Sequence, residues 1–548
     1  MKNKRFEADM STRHATHLFL ILGGLLLLLG GVSLAKGNLF ITQYEGDTLH
    51  LMEIVLRMAQ GELIHHDFMT PIGALAFWPI VWFLQAGFGM GSAFIWSQIL
   101  IAVACLPAIW WAARSRMQLG LGVVFGGACL VLILALLHGG VDASTSVSMH
   151  YNRWAWAAAF VAITLAVLRP IGSKNSVADG VIIGVMMAIL LMIKVTYFAA
   201  FAPGIIVALL ARKDLKALVV ALVTGSAIMA ALTLWLGVSF WAAYLLDLLT
   251  VAGSEVRSAP GADFADVIGA PAYVAGSMAG LSGVIFLRQG GRLSEGLALL
   301  VLLPGFFYVT YQNFGNDPKW LMLLGVLLWA AMPEIGVRNG RGWDMRWATQ
   351  MVAIASFVLI VPIYFNMTYS PVRNLTATLE DFTPVLAGNE QHADLKTAKL
   401  RAQRVDVSRP FDREGQPFAA RADAEHREDV TEFMGAALPE CSIETGLPSF
   451  FQTIAGDLEE AGYGQARIMT ADLFNSYWMF GDFKPTQGGA PWYYGDLPGY
   501  ETAEYLMVPL CAVLPAVRDE ILGNVTEAGT DGLREVRRTE TYILFDKR

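Results

Sequence analysis

The densest set of chemically able side chains lies between the first two apolar runs of the chain, over residues 37–70. It reads Tyr44-Glu45-Gly46-Asp47, then Thr48–Gln60, then Gly61-Glu62-Leu63-Ile64-His65-His66-Asp67-Phe68-Met69-Thr70-Pro71. A carboxylate in such a loop can take the proton from an attacking hydroxyl. Asp47 is placed for that work, at the start of a segment with helical spacing. Leu49, Met52, Leu56 and Ala59 share one face and His50, Glu53, Arg57 and Gln60 the other, which predicts a helix lying flat on a membrane. Gly61 would end it, and Asp47 reads as its N-cap, a role compatible with catalysis. Glu45 has no structural duty visible in the sequence and is the rival base. His65, His66 and Asp67 are metal-ligand types, but adjacent histidines usually point apart. They read as polar loop residues available to substrate. No metal site and no cofactor is expected, and a divalent metal is left open.

Other polar breaks carry further candidates. One holds Asp142 and then His150-Tyr151-Asn152-Arg153 at the mouth of an apolar run; another is only the turn Lys194-Val195-Thr196-Tyr197. A lone lysine there can snorkel to headgroups. A lipid-borne phosphate would equally explain a cation at that depth. The break from Tyr311 to Lys319 holds Asn313, Asn316 and Asp317, groups that suit a polar ligand such as a sugar or else a capped turn.

The elements that must position these residues follow from composition. The chain has 548 residues, 55% hydrophobic and only 16% charged, with mean hydropathy +0.49. An ordinary globular chain carries roughly a quarter charged residues, so bilayer spans are expected. Apolar runs alternate with short breaks over 1–366, whereas 367–548 is charge-rich and has no run able to span. Eleven spans are expected: Leu18–Ala35, Ser92–Ala113, Leu119–Leu137, Trp154–Leu168, Ala178–Ile193, Thr196–Ala211, Ala217–Val238, Ala270–Leu287, Gly296–Val309, Trp320–Met332 and Trp347–Tyr364. The first exceeds the roughly 7–15 residues of a signal-peptide core, so it reads as an uncleaved span.

Ile72–Phe88, broken by Pro71 and Pro79, sets the parity. If it does not span, Arg114/Arg116, Arg169/Lys174, Arg212/Lys213/Lys216, Arg288/Arg292 and Arg338/Arg341/Arg346 all fall on one side, which the positive-inside rule makes cytoplasmic. The N-terminus is then cytoplasmic and the tail external, in a bacterium periplasmic. The chain reads as a multi-pass protein of the bacterial cytoplasmic membrane.

In the tail, residues up to about Arg421 read as irregular. Helices are expected over Arg427–Leu438 and Ser449–Ala461, and strands over Gln465–Thr470, Tyr505–Val508 and Glu540–Phe545, a small α/β domain. Phe480–Tyr500 is rich in Gly, Pro and aromatics. Cys441 and Cys511 could pair in an oxidising compartment. No basic patch interleaved with aromatics occurs, so nucleic acid is not an expected partner.

The run Glu45-Gly46-Asp47, the flat helix ending at Gly61, His65-His66-Asp67-Phe68 and Pro71-Ile72-Gly73 resembles the GT-C superfamily of membrane glycosyltransferases. These use polyprenyl-phosphate sugars and include the protein O-mannosyltransferases and the lipid A aminoarabinose transferases. The resemblance covers Leu18–Leu168, and the rest by architecture. It implies a helical polytopic fold with juxtamembrane helices and a small periplasmic α/β domain. It also implies inverting transfer of a sugar to a lipid, glycan or protein acceptor. The base would be the loop acid, Asp47 or Glu45, with Lys194 and Arg153 on the donor phosphate. His65, His66, Asp67, Tyr151, Asn152, Asn313, Asn316 and Asp317 would line the substrate site. The family's usual Asp-Glu pair is here Glu-Gly-Asp, which leaves the base open. A glycolipid transporter or flippase, or a non-catalytic glycan-assembly protein, are the other readings. A transporter should place polar breaks near the midplane of its spans and show internal repeats; here the polar residues concentrate in loops and no repeat is evident.

Overall fold

A computed structural model describes residues 2–254, 256, 264–312, 317–413, 415–421 and 430–547, the side chains of 2–12, 266–268 and 271–272 aside. The membrane part is a helical bundle. Its elements are α1 (Lys2–Leu34), strand β1 (Leu39–Ile41), α2 (Glu45–Ala59), α3 (Trp78–Gln85), α4 (Met90–Arg116), α5 (Leu119–Leu134) and α6 (His150–Val167). Then follow α7 (Ser176–Ile193), α8 (Val195–Ala211), α9 (Leu215–Leu236), α10 (Val238–Ala252), α11 (Phe264–Gly269), α12 (Pro271–Gln289), α13 (Leu293–Gln312), α14 (Trp320–Ala330) and α15 (Met345–Thr376). Six of them (α1 from Arg13, α4, α7, α9, α13 and α15) are long and apolar enough to cross a bilayer, and α5, α8, α10 and α14 are shorter apolar helices. Nine of the eleven expected spans fall on helices of these two groups, and the other two, Trp154–Leu168 and Ala270–Leu287, fall on α6 and α12. The chain is a polytopic helical membrane protein.

Side-chain caps start several helices. Asn175 accepts from the Ala178 N–H, Asp214 from Ala217 and Asp344 from Trp347, each satisfying a donor that the first turn leaves unpaired. Ile72–Phe88 makes one 3₁₀ turn and the eight-residue α3, which at about 1.5 Å per residue is far too short to cross. α10 was not among the expected elements. Gly237, at φ +82°, breaks the chain after α9, and α10 then returns beside the first loop, its Asp247 accepting from the Thr70 N–H.

The two ends of the bundle differ. At one end the cation-rich breaks meet one another: Arg116 bonds the Leu168 carbonyl and pairs with Asp179. Arg169 pairs with Glu295, Lys174 with Asp214, and Asn339 donates to Gln289. At the other end sit the first loop and the C-terminal domain. That domain contains β2 (Phe382–Pro384), β3 (Leu395–Ala398), α16 (Lys399–Gln403), β4 (Asp406–Ser408), β5 (Glu432–Phe433), β6 (Ala436–Ala437), β7 (Ser442–Thr445) and α17 (Leu447–Glu460). It closes with β8 (Ile468–Thr470), β9 (Tyr505–Pro509), α18 (Pro515–Ala528), β10 (Arg534–Arg538) and β11 (Tyr542–Asp546). The main sheet runs β10-β11-β9-β8, with β8 parallel to β9 and the other pairs antiparallel.

Three expectations for the tail are corrected. Helix α15 runs on through Pro371 to Thr376, so residues beyond 366 are still bundle. Residues 379–403 are structured: β3 pairs in parallel with β1 of the first loop, Leu39 opposite Leu395, and β2 completes that sheet. The helix expected over Arg427–Leu438 lies partly outside the described residues, and its described part is the hairpin β5–β6. Cys441 and Cys511 form a disulfide. The domain also caps α4: the Asp394 carboxylate accepts from the Gly91 and Ser92 N–H groups at 3.0 and 2.7 Å. A Cβ on Gly89 would meet the Asp394 carboxylate at 2.4 Å and one on Gly91 the Asp394 carbonyl oxygen at 2.6 Å, so the two glycines make room for this close approach.

Candidate functional site

The α2 helix begins earlier than its sequence pattern suggested. Glu45 is already helical, and the preceding Tyr44 is left-handed at φ 65° with no side-chain cap. Asp47 is therefore in the first turn and, contrary to the expectation, is not the N-cap. Ser148, in the loop between α5 and α6, donates its hydroxyl to Asp47. Glu45 has the structural duty that the sequence did not show. It is buried and grips Arg401 of α16 through two bonds of 2.6 and 2.8 Å. The polar face of α2 is not open to water either. Glu53 and Arg57 are fully buried under the C-terminal domain, where Ser476 donates to Glu53 at 2.7 Å. Arg57 bonds Glu53, Glu62 and the Thr486 carbonyl, each at 3.1 Å.

Beside Asp47 the breaks after α5 and before α14 bring titratable groups together. The Tyr44 ring meets His138 edge-on at 4.9 Å. Lys319 is wholly buried against Gly139, which at φ +125° has no Cβ; one there would lie 2.6 Å from Nζ. Arg153, also wholly buried, donates from Nη1 to the Leu132 and Ile133 carbonyls. Its Nε and Nη2, and the Lys319 Nζ, have no hydrogen-bond partner among the described residues. A buried cationic donor without a partner costs stability unless something occupies the space before it.

The fields in this cluster are strong. Burial, with Lys319 and Arg153 nearby, pushes His138 down to about 4 and so keeps it neutral at physiological pH. Burial lowers Lys319 to about 8; Arg153 pushes the same way and Asp317 opposes. Asp317 is raised by burial, with Lys319 opposing. Burial raises the Tyr44 phenol, helped by Asp142, Asp47 and Asp317. Asn366 of α15 fixes the loop by donating to the Gly140 and Asp142 carbonyls.

Of the sequence candidates, Asp47, Arg153 and Asp317 converge here. Lys194 donates to Asn152 at 3.2 Å and lies over the Tyr151 ring at 5.4 Å. The charge of Lys319 reaches Arg153, which adds a lysine that was not among the expected phosphate contacts. Asn313 and Asn316 lie outside the described residues. His65 joins Asp247 of α10, while His66 and Asp67 are exposed neighbours 3.5 Å apart. No cluster of three or more metal-ligating side chains occurs among the described residues. Tyr44, His138, Ser148 and Lys319 were not singled out. Each sits singly in a short break, and only the fold puts these breaks side by side.

No family model matches the chain and no curated protein matches it. Among solved structures, the crystal structure of ArnT from Cupriavidus metallidurans in the apo state is similar over 97% of this chain and 98% of that one. The identity is 12% and the TM-score 0.36. A likeness that loose assigns neither fold nor activity, and the reading below rests on the site itself.

Proposed function

We propose that the protein is an inverting glycosyltransferase of the GT-C type, moving a sugar from a polyprenyl-phosphate donor to an acceptor at the outer face of the cytoplasmic membrane. One observation carries the reading. The carboxylate of Asp47 on one side and two fully buried cations, Arg153 and Lys319, on the other flank the Tyr44–His138 ring pair at the end of a membrane bundle that a soluble domain covers. Arg153 Nε and Nη2 and Lys319 Nζ have no partner among the described residues. A donor held by a polyprenyl tail keeps its phosphate at headgroup depth, and two buried cations suit that phosphate. As the bond from sugar to phosphate breaks, the leaving phosphate gains charge, and pre-placed cations stabilise it. Asp47 takes the proton from the acceptor hydroxyl as that oxygen attacks the anomeric carbon from the opposite face.

The test is incubation of the purified protein with radiolabelled polyprenyl-phosphate sugars, following transfer into membrane lipid, glycan and protein fractions. Transfer that Asp47→Asn abolishes supports the reading. Translocation of a lipid-linked sugar without transfer would favour a flippase, and neither activity would leave a non-catalytic assembly role.

A further inference from the structure

The cation-rich end of the bundle is not uniform. Arg116, Arg169, Lys174 and Arg212 each reach a carboxylate. Elsewhere at the same end, the turn after α12 and the break before α15 bring five arginines together without one. Arg288 and Arg292 flank the turn, and Arg338, Arg341 and Arg346 belong to the break and the start of α15. The two segments are packed on each other. Asn339 donates to Gln289 at 3.0 Å, Arg292 to the Met332 carbonyl at 3.2 Å, and the Phe286 ring meets Trp343 edge-on at 6.5 Å. A Cβ on Gly290 would lie 2.3 Å from Pro333. The break is itself a folded hairpin. Asn339 Oδ1 accepts from the Arg341 and Trp343 N–H groups, each at 3.0 Å, and the Met345 N–H bonds the Val337 carbonyl at 2.9 Å.

Among the described residues none of the five arginines forms an ion pair. Arg292, Arg338 and Arg346 each spend a donor on a backbone carbonyl, while Arg288 and Arg341 make no side-chain hydrogen bond. Arg292 is half-buried and the other four are exposed. Two carboxylates belong to the same segments, Glu334 and Asp344, and Asp344 is occupied in capping α15. Positive charge is therefore in excess. Beside it Ile335, Trp343 and Trp347 are 85%, 57% and 63% exposed.

We infer that this patch binds the headgroup of an anionic phospholipid from the adjoining leaflet. Guanidinium forks match phosphate oxygens in pairs, and a folded hairpin loses little freedom in presenting them. Tryptophans at the end of a spanning helix sit at headgroup level with their rings against acyl chains, and basic pockets between spanning helices suit such headgroups. A zwitterionic lipid would bring its own ammonium against the arginines. A soluble acidic partner would leave the exposed tryptophans without a role. Bound here, the lipid bridges the end of α12 to the start of α15 and fastens the bundle at the end opposite the C-terminal domain. The site lies at the other end of the bundle from Asp47, so its occupant takes no part in the transfer proposed above.

The test is native mass spectrometry of the full chain in neutral detergent, titrated with phosphatidylglycerol or phosphatidylethanolamine of matched acyl chains. The parent should retain phosphatidylglycerol at least tenfold more strongly. Arg288→Gln with Arg341→Gln removes two charges that hold no internal hydrogen bond, and should weaken phosphatidylglycerol binding at least tenfold without lowering the lipid-free melting temperature. Arg338→Gln with Arg346→Gln should weaken it as much, so a folding defect in one pair does not decide the matter. Lys213→Gln with Lys216→Gln removes the same charge from exposed lysines at the same end and should bind lipid like the parent. Glycerol 1-phosphate, a headgroup without tails, should not compete at the lipid's concentration. Equal loss in the lysine variant would reduce the effect to net charge and overturn the assignment. Retention that survives both arginine pairs, or competition by glycerol 1-phosphate, would also overturn it. Equal retention of the two lipids by the parent would do so too, and leave the arginines to an acidic protein surface.

Discussion

At the residue scale, Lys319 concentrates the tension between stability and function. Its ammonium is wholly buried and held near a pKa of about 8, against an ordinary value of 10.5. Between those two values the unfolded chain binds more protons than the folded one, so this group makes the fold more stable as pH rises through the window. Anion binding needs the charge and has the opposite sign, so affinity for a polyprenyl phosphate should be intact at pH 7 and fall as pH climbs through about 8. Lys319→Met should abolish that affinity while leaving the melting temperature in detergent unchanged or raised, since a buried charge is removed. Binding titrations and melts on the same samples check both halves.

Asp47 and Glu45 separate by the same logic. Asp47→Asn keeps an acceptor for Ser148, so folding should survive while turnover drops by about 10²–10⁴-fold. Glu45→Gln loses charge opposite the partly exposed Arg401 and should cost about 1 kcal/mol of stability with transfer largely retained. An active Asp47→Asn beside an inactive, normally melting Glu45→Gln would exchange their roles.

At the element scale, α2 is the joint between membrane and soluble parts. Its apolar face packs into the bundle and its charged face into the C-terminal domain, which is why a helix with an amphipathic sequence is buried on both sides. Arg57 holds that joint with three hydrogen bonds and lies over the Phe68 and Trp478 rings at 5.6 and 5.8 Å. Arg57→Ala would strand Glu53 as an uncompensated buried charge and should destabilise by about 3–5 kcal/mol. The double change Glu53→Gln with Arg57→Met removes both charges and should recover most of that loss. Thermal melts, with proteolysis of the C-terminal domain as a second readout, compare the two.

At the scale of the whole molecule, the cation-rich breaks gather at one end of the bundle and the C-terminal domain covers the other. The positive-inside rule then predicts that the domain lies outside the cytoplasm. Reporter fusions after Arg116 and after Arg373 should therefore read cytoplasmic and external; a cytoplasmic reading from the second contradicts the orientation. An external domain also suits the Cys441–Cys511 disulfide, which closes 70 residues. Reducing it should destabilise the domain by about 4 kcal/mol through the freedom returned to the unfolded chain.

The membrane architecture was legible in the sequence because a bilayer imposes a length and a polarity on each span, and both are local properties. Parity was legible too, since paired arginines in alternate breaks need no tertiary knowledge to count. Asp47 drew attention as the carboxylate that opens an amphipathic segment in the polar first loop, and Arg153 as a cation at the mouth of an apolar run. What the tertiary structure alone decided was company. Glu45 and Arg401 lie 356 residues apart, and a salt bridge at that separation leaves no local trace. The buried fate of Glu53 and Arg57 followed from a domain that docks on a face which by pattern belonged in water. Lys319 entered the cluster for the same reason. Hydropathy says that a lysine flanks a span, but only the packing of the breaks after α5 and before α14 buries Lys319 against Gly139 and within reach of the charge of Arg153.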